Sequence, residues 1–179
     1  MLARLMHDHQ HIGILLKILK AKHTKLATGE GINYNLVRDI VEYMQSYAEH
    51  SHHPLEEVIS EFYWHKLGRD HVNETLTSEH KKLVEASASL MATLNLILSD
   101  VVVSKEQLVS DLDSYVALQQ SHMDFEESTV FPKWSNVISE DDWLTVMQMC
   151  DARLIDDPLF SDSDNALFEE LKEYIDAAE

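Results

Sequence analysis

Residue types that bind transition metals occur twice in this chain, in the same order and about 70 residues apart. The first set is His9, His52 and Glu56, and the second set is His80, His122 and Glu126. In each set the second histidine and the glutamate are four residues apart, which puts both on one face of a helix. Imidazole nitrogens and bridging carboxylates are donors that two transition-metal ions would need. The repeat therefore predicts a dinuclear metal site with six protein ligands.

The composition excludes several classes of protein. Four Gly and three Pro in 179 residues are too few for a turn-rich all-β fold, so helices are favoured. The formal net charge of -18 repels phosphates, so neither nucleic acid nor a membrane is expected as a partner. The single cysteine, Cys150, excludes an internal disulfide and fits a reducing compartment. With neither a signal peptide nor a membrane span in the sequence, a cytoplasmic protein is expected.

The elements that must carry these residues are four long amphipathic helices. They are predicted from about residue 3 to Leu26, from an Asn33 or Asn35 cap to Lys66, from Val72 to Leu98, and from a Ser104–Gln107 capping box to near Pro132. Long helices joined by short loops predict an all-α, up-down-up-down four-helix bundle over residues 1–135.

Shorter helical patterns follow the bundle and define a predicted C-terminal extension, residues 136–179. Ser139 with Asp142 starts a helix from Trp143 to Arg153, Asp157 to Phe160 form a turn, and an amphipathic helix runs from Ala166 to Ala177. We expect the extension to pack on the bundle as a cap. The alternative is that it mediates a homodimer.

A helical wheel separates inward-facing from outward-facing histidines. At 100° per residue, His9, His80 and His122 with Glu126 lie on the apolar stripes of their helices.

The second helix is ambiguous, because His52 and His53 are each followed by a glutamate four residues later. His52 lies about 60° and Glu56 about 100° from the apolar stripe, whereas His53 and Glu57 fall near the far side. The repeat favours His52 and Glu56 as well. A kink at Pro54 would rotate this segment, so His53 with Glu57 remains the alternative pair.

Buried glutamates argue for a cation. Two carboxylates inside a bundle core would each need several buried donors if no metal were present. We therefore favour a metal site over a metal-free polar core.

At these residues the chain resembles the hemerythrin-like, HHE cation-binding domain family. The resemblance covers about residues 3 to 132 and rests on Asp8-His9-Gln10-His11-Ile12, His52-His53-Pro54-Leu55-Glu56-Glu57, Glu79-His80-Lys81-Lys82-Leu83 and the segment from His122 to Pro132. It implies two iron ions in a four-helix bundle, with four terminal imidazoles and with Glu56 and Glu126 as bridges. Zinc or manganese accepts the same donors.

One departure from the family pattern bears on function. Oxygen-carrying hemerythrins place two histidines four residues apart on the third helix, but here Leu76 and Val84 flank His80 at that spacing. The predicted site is thus one histidine short and is more similar to the six-ligand centres of iron-sulfur-cluster repair proteins.

These observations predict a non-haem di-iron protein that binds or senses oxygen, nitric oxide or peroxide, or that handles iron. The alternatives are a di-iron oxidoreductase that turns over peroxide or nitric oxide or acts in iron-sulfur-centre repair, and a bundle in which metal is only structural. No catalytic residue is identifiable beyond the ligands, so the sequence leaves enzymatic activity open.

Overall fold

The computed structural model describes residues 1–68, 70–151 and 154, and within these residues all regular structure is helical. The α-helices are α1 (Leu2–Ala27), α2 (Tyr34–Tyr47), α3 (His53–Leu67), α4 (His71–Leu98), α5 (Lys105–Phe125), α6 (Phe131–Val137) and α7 (Glu140–Cys150). One π-helical turn, Ala48–His52, joins α2 to α3. A second, Glu126–Val130, joins α5 to α6.

Four long rods form the bundle: α1, α2 with α3, α4, and α5 with α6. Contacts between α1 and α5, α5 and α4, α4 and α2, and α2 and α1 close these rods into a ring. The all-α four-helix bundle and the additional C-terminal helix are therefore as the sequence predicted. In the part of the chain that is described, no helix has both the length and the hydropathy needed to cross a membrane.

Side-chain caps fix where the helices begin. The Asn33 side chain accepts a hydrogen bond from the backbone N–H of Leu36 at 3.1 Å, which selects Asn33 over Asn35 as the cap of α2. Ser104 caps α5 by accepting from the N–H of Gln107. The predicted capping box is only half formed, because the structure shows no return bond from the Ser104 N–H to the Gln107 side chain, whose Nε2 donates to Asp111.

The two π-turns each precede a proline. The N–H of His53 bonds to the carbonyl of Ala48, and the N–H of Phe131 bonds to the carbonyl of Glu126, five residues back in both cases. The wider turn gives room for the proline ring, which would clash with a carbonyl in an uninterrupted α-helix.

Pro54 and Pro132 both lie in the first turn of the α-helix that follows, where a missing N–H costs no hydrogen bond. The predicted helix end near Pro132 is therefore wrong, since the chain stays helical to Val137. The predicted disturbance at Pro54 takes the form of the π-turn before it.

Two apolar clusters fill the bundle on either side of a polar layer. On α1, Leu5 belongs to one cluster and Ile12 to the other, with His9 between them. On α4, Leu76 and Leu90 lie on either side of His80 in the same way. The predicted ligand residues thus occupy a band across the core, enclosed by apolar side chains above and below.

Helix α7 packs against α3, and Val146 and Cys150 are fully buried in the cluster that contains Leu55. Cys150 is thus a buried thiol. A complete capping box between Ser139 and Asp142 starts α7 at Glu140, three residues earlier than predicted.

The predicted turn over residues 157–160 and the helix over 166–177 lie outside the described residues, as does Arg153. The boundary at residue 136 and the cap formed by the whole extension stay predictions.

Candidate metal centre

The six predicted ligand residues meet in one place. Each is at most 9% exposed, and together they come from α1, both π-turns, α3, α4 and α5: His9, His52, Glu56, His80, His122 and Glu126. The structure therefore brings together every residue that the repeat singled out.

The carboxylate of Glu126 lies among three of the imidazoles. Its Oε2 lies 3.1 Å from His9 Nε2, and its Oε1 lies 3.1 Å from His122 Nε2 and 3.5 Å from His80 Nε2. This one carboxylate therefore faces imidazoles from three helices.

The carboxylate of Glu56 likewise lies between two imidazoles. Its Oε1 lies 3.4 Å from His52 Nε2, and its Oε2 lies 3.2 Å from His80 Nε2. The Nε2 atoms of His9 and His52 are 3.1 Å apart. Two nitrogens bound at right angles to one ion, at bond lengths of about 2.1 Å, would be separated by about 3 Å.

The central polar atoms lack ordinary hydrogen bonds. Despite these short separations, no hydrogen bond of acceptable geometry within the described residues reaches the carboxylate oxygens of Glu56 and Glu126 or the Nε2 atoms of His80 and His122. Leaving a buried carboxylate without donors is costly. A cation among these convergent donors removes that cost, so the donor set fits a metal.

Carboxylates also form hydrogen bonds with the outward-facing Nδ1 atoms of three imidazoles. Nδ1 of His52 lies 3.2 Å from Asp8, and Nδ1 of His122 lies 3.1 Å from Glu79. The repeat extends to this pair, since Asp8 and Glu79 are 71 residues apart and each precedes an inward-facing histidine. Such carboxylates fix the tautomer that leaves Nε2 free for a metal and raise its basicity.

The third outer carboxylate is Glu127, whose Oε1 lies 2.9 Å from His9 Nδ1. Sequence reasoning identified none of these three carboxylates as functional. The signal that would have found them is their position directly beside a predicted ligand.

The hydrogen-bonded network behind His52 extends through Asp8 to two further residues. Asp8 is 1% exposed and accepts from Arg4 Nε at 2.8 Å, and Arg4 Nη2 donates to the Tyr47 hydroxyl at 2.9 Å. Burial would raise the pKa of Asp8, but its contacts with His52 and Arg4 hold that pKa below the ordinary value. Asp8 thus stays an anion behind the imidazole.

A seventh residue, His53, joins the cluster. It is 8% exposed, and its ring stacks on that of His80 with centroids 4.0 Å apart and an interplanar angle of 13°. Glu57, by contrast, is exposed. The alternative pair of His53 with Glu57 is therefore not what the structure contains, because His52 and Glu56 keep their places and His53 is added to them.

The wheel missed His53 because it assumed an unbroken α-helix. The π-turn that ends at His52 changes the rotation per residue, so two consecutive histidines both reach the core. The ligand atoms then form two groups, each within 4.8 Å: His9, His52, Glu56 and Glu126, and His53, Glu56, His80 and His122.

In the metal-free cluster, protonated imidazoles supply the positive charge beside the carboxylates. Burial lowers the pKa of His52, but Glu56 and Asp8 outweigh it and raise that pKa to about 10. For His80, the effect of burial is outweighed by Glu126 and Glu56, and its pKa rises to about 9.

His53 and Glu126 shift in the opposite direction. The pKa of His53 lies well below its ordinary value because of burial and the nearby His80, so this imidazole is neutral. Burial would raise the pKa of Glu126, but His122 and His80 hold it well below its usual range.

Two surface cavities reach the cluster. One, of about 460 Å³, lies between α3 and α4 and is lined by His53 and His80 together with Trp64 and Leu76. The other, of about 770 Å³, lies between α1 and α5 and is lined by His9 and Glu127. Small molecules therefore have a cavity on either side from which to approach the centre.

We predict that Asp8 matters more for metal affinity than Glu79. Outer partners of metal-bound histidines are worth about 10–100-fold in affinity. Asp8 is 1% exposed and Glu79 is 22% exposed, so water replaces the latter more easily. Chelator competition should therefore show a loss of about 10–100-fold for Asp8→Ala and a smaller loss for Glu79→Ala. Equal losses would contradict the role given to burial.

A helical bundle with a buried, convergent set of imidazoles and carboxylates defines a metal-binding protein of the four-helix class. The hemerythrin HHE cation-binding domain matches residues 1–134. The chain therefore belongs to the hemerythrin HHE cation-binding domain family, and cation binding follows from that membership. Neither a curated protein nor a solved structure matches the chain.

Proposed function

We propose that this protein holds two iron ions and uses them to bind or sense oxygen, nitric oxide or peroxide. The observation that carries the proposal is the pair of buried carboxylates, Glu56 and Glu126, which face imidazoles on both sides and accept no hydrogen bond from the part of the chain that is described. Four oxygens of two carboxylates suit two bridged ions better than one. Ferrous ions with open coordination positions supply the affinity for such small ligands.

The residues have distinct roles in this proposal. His9, His52, His80 and His122 would each offer a nitrogen to the ions, while Glu56 and Glu126 would provide two negative charges and the oxygens that the two ions share. Asp8, Glu79 and Glu127 keep three of the rings aimed inward. The apolar clusters exclude bulk water, and the cavities at His80 and His9 admit small ligands.

Anaerobic loading with ferrous iron tests the proposal. We expect about two iron ions per chain and a change in the visible spectrum when oxygen or nitric oxide is added. Protein loaded with zinc is the control, because zinc has no redox chemistry and should give no such change. Iron-loaded protein without a spectral response to either gas would refute ligand binding as the function.

The same sample separates binding from turnover. Peroxide consumed once per centre indicates stoichiometric binding, whereas continued consumption with an electron donor indicates an oxidoreductase. Release of iron to a chelator under turnover conditions would favour iron handling.

A further inference from the structure

The two groups of ligand atoms are unequal. One group contains two imidazoles, from His9 and His52, and the other contains three, from His53, His80 and His122. Glu56 belongs to both groups. Glu126 reaches across as well, since its two oxygens lie 3.1 Å from His9 and 3.1 Å from His122. Shared carboxylates and unshared imidazoles therefore divide the cluster into two subsites.

The inequality arises from one place where the repeat fails. The residue that corresponds to His53 in the second half is Met123, 70 positions later. Met123 is buried in an apolar cluster with Ile12 and Tyr115 and offers no nitrogen. The two π-turns are also out of register, because one ends at His52 whereas the other begins only at Glu126.

His53 contacts the side chains of predicted ligand residues. Its ring stacks on His80 and meets the ring of His122 edge-on, with centroids 5.9 Å apart. Its ligand nitrogen lies within 4.8 Å of ligand nitrogens of His80 and His122 and of a carboxylate oxygen of Glu56.

We infer that His53 is a seventh ligand, the third imidazole of one ion, and that the two ions are therefore chemically inequivalent. This inference rests on the dinuclear centre proposed above. With both carboxylates bridging, the ion at His53, His80 and His122 has five protein donors. The ion at His9 and His52 has four. The fifth nitrogen that the third helix lacks is thus supplied by the second rod, through its π-turn.

Mössbauer spectra of protein loaded with ⁵⁷Fe test this assignment. We expect the wild type to show two quadrupole doublets of equal area and about two ions per chain. In His53→Ala one doublet should shift while the other stays unchanged, and one ion should be lost to a chelator at least tenfold faster.

Two further variants complete the experiment. His50→Ala is the matched control, since His50 lies in the π-turn that directly precedes His53 but is exposed, and it should leave both doublets and both rates unchanged. His53→Gln keeps a polar side chain of similar reach in case the alanine variant fails to fold, and it should shift the same doublet.

The possible failures are distinguishable. Wild-type protein that binds no iron would refute the dinuclear centre and this inference with it. Two ions in His53→Ala or His53→Gln, with doublets and release rates identical to the wild type, would refute the role of His53 alone.

Discussion

Replacing Glu126 by alanine is expected to abolish loading of the centre and the stability that metal confers. Glu126 faces His9, His80 and His122, so its loss removes a donor from both subsites at once. A ligand present at 1,000 times its dissociation constant stabilises a protein by about 4 kcal/mol. For a chain of this size that corresponds to roughly 10 °C in Tm. The difference in Tm between metal-loaded and metal-free protein should therefore fall from roughly 10 °C to near zero.

The comparison must be made within each variant, because removing a buried anion also changes the metal-free protein. Asp124→Ala is a suitable control, since Asp124 is a carboxylate on the same rod but is exposed. It should keep the wild-type metal content and the full difference in Tm. A Glu126→Ala protein that still binds two ions and gains the same Tm on loading would contradict the bridging role.

The metal-free protein is expected to lose several kcal/mol of unfolding free energy as pH rises from about 6.5 to 10. In the folded state the pKa of His52 is about 10 and that of His80 is about 9, whereas unfolded histidine titrates near 6.5. A pKa that is raised on folding stabilises the protein fully below 6.5, and this contribution disappears as pH passes through 9 and 10. Above pH 6.5, Glu126 is ionised whether folded or unfolded, because its folded pKa is lowered, so it does not offset the loss.

Urea denaturation of metal-free protein at several pH values measures this effect. The metal-loaded protein should show a much flatter profile in the same range, because bound ions replace the protons on the imidazoles. Substitution of an exposed residue, as in His71→Ala, should leave the metal-free profile unchanged. A metal-free unfolding free energy that is constant between pH 6.5 and 9.5 would contradict the proposed protonated cluster.

Most of the fold could be predicted from local signals. The periodicity of apolar residues fixed the four rods, and Asn33, Ser104 and Ser139 marked where helices begin. The six-residue cluster was predictable because His9, His80, His122 and Glu126 lie on apolar stripes. For the second helix, where Glu56 lies well off the stripe, the repeat was needed to favour His52 with Glu56.

What escaped prediction depends on departures from an ideal α-helix. A helical wheel assumes 100° per residue throughout, whereas in a π-turn each N–H bonds to the carbonyl five residues back and the rotation per residue is smaller. The wheel therefore places His53 on the wrong face. The sequence predicts a helix end near Pro132 because proline usually ends a helix, but the π-turn before it places Pro132 in the first turn of a new helix. The carboxylates behind the rings were missed because a wheel describes one helix, whereas Asp8 reaches His52 across two.

The polar layer between two apolar clusters has a consequence for cooperativity. Each cluster has its own hydrophobic cohesion, but the ligand residues of all four rods meet only in the layer between them. A metal bound there links helices that are distant in sequence, much as a disulfide would, and it also ties one half of the core to the other. Metal loading would then determine whether the two halves of the bundle unfold together or one before the other.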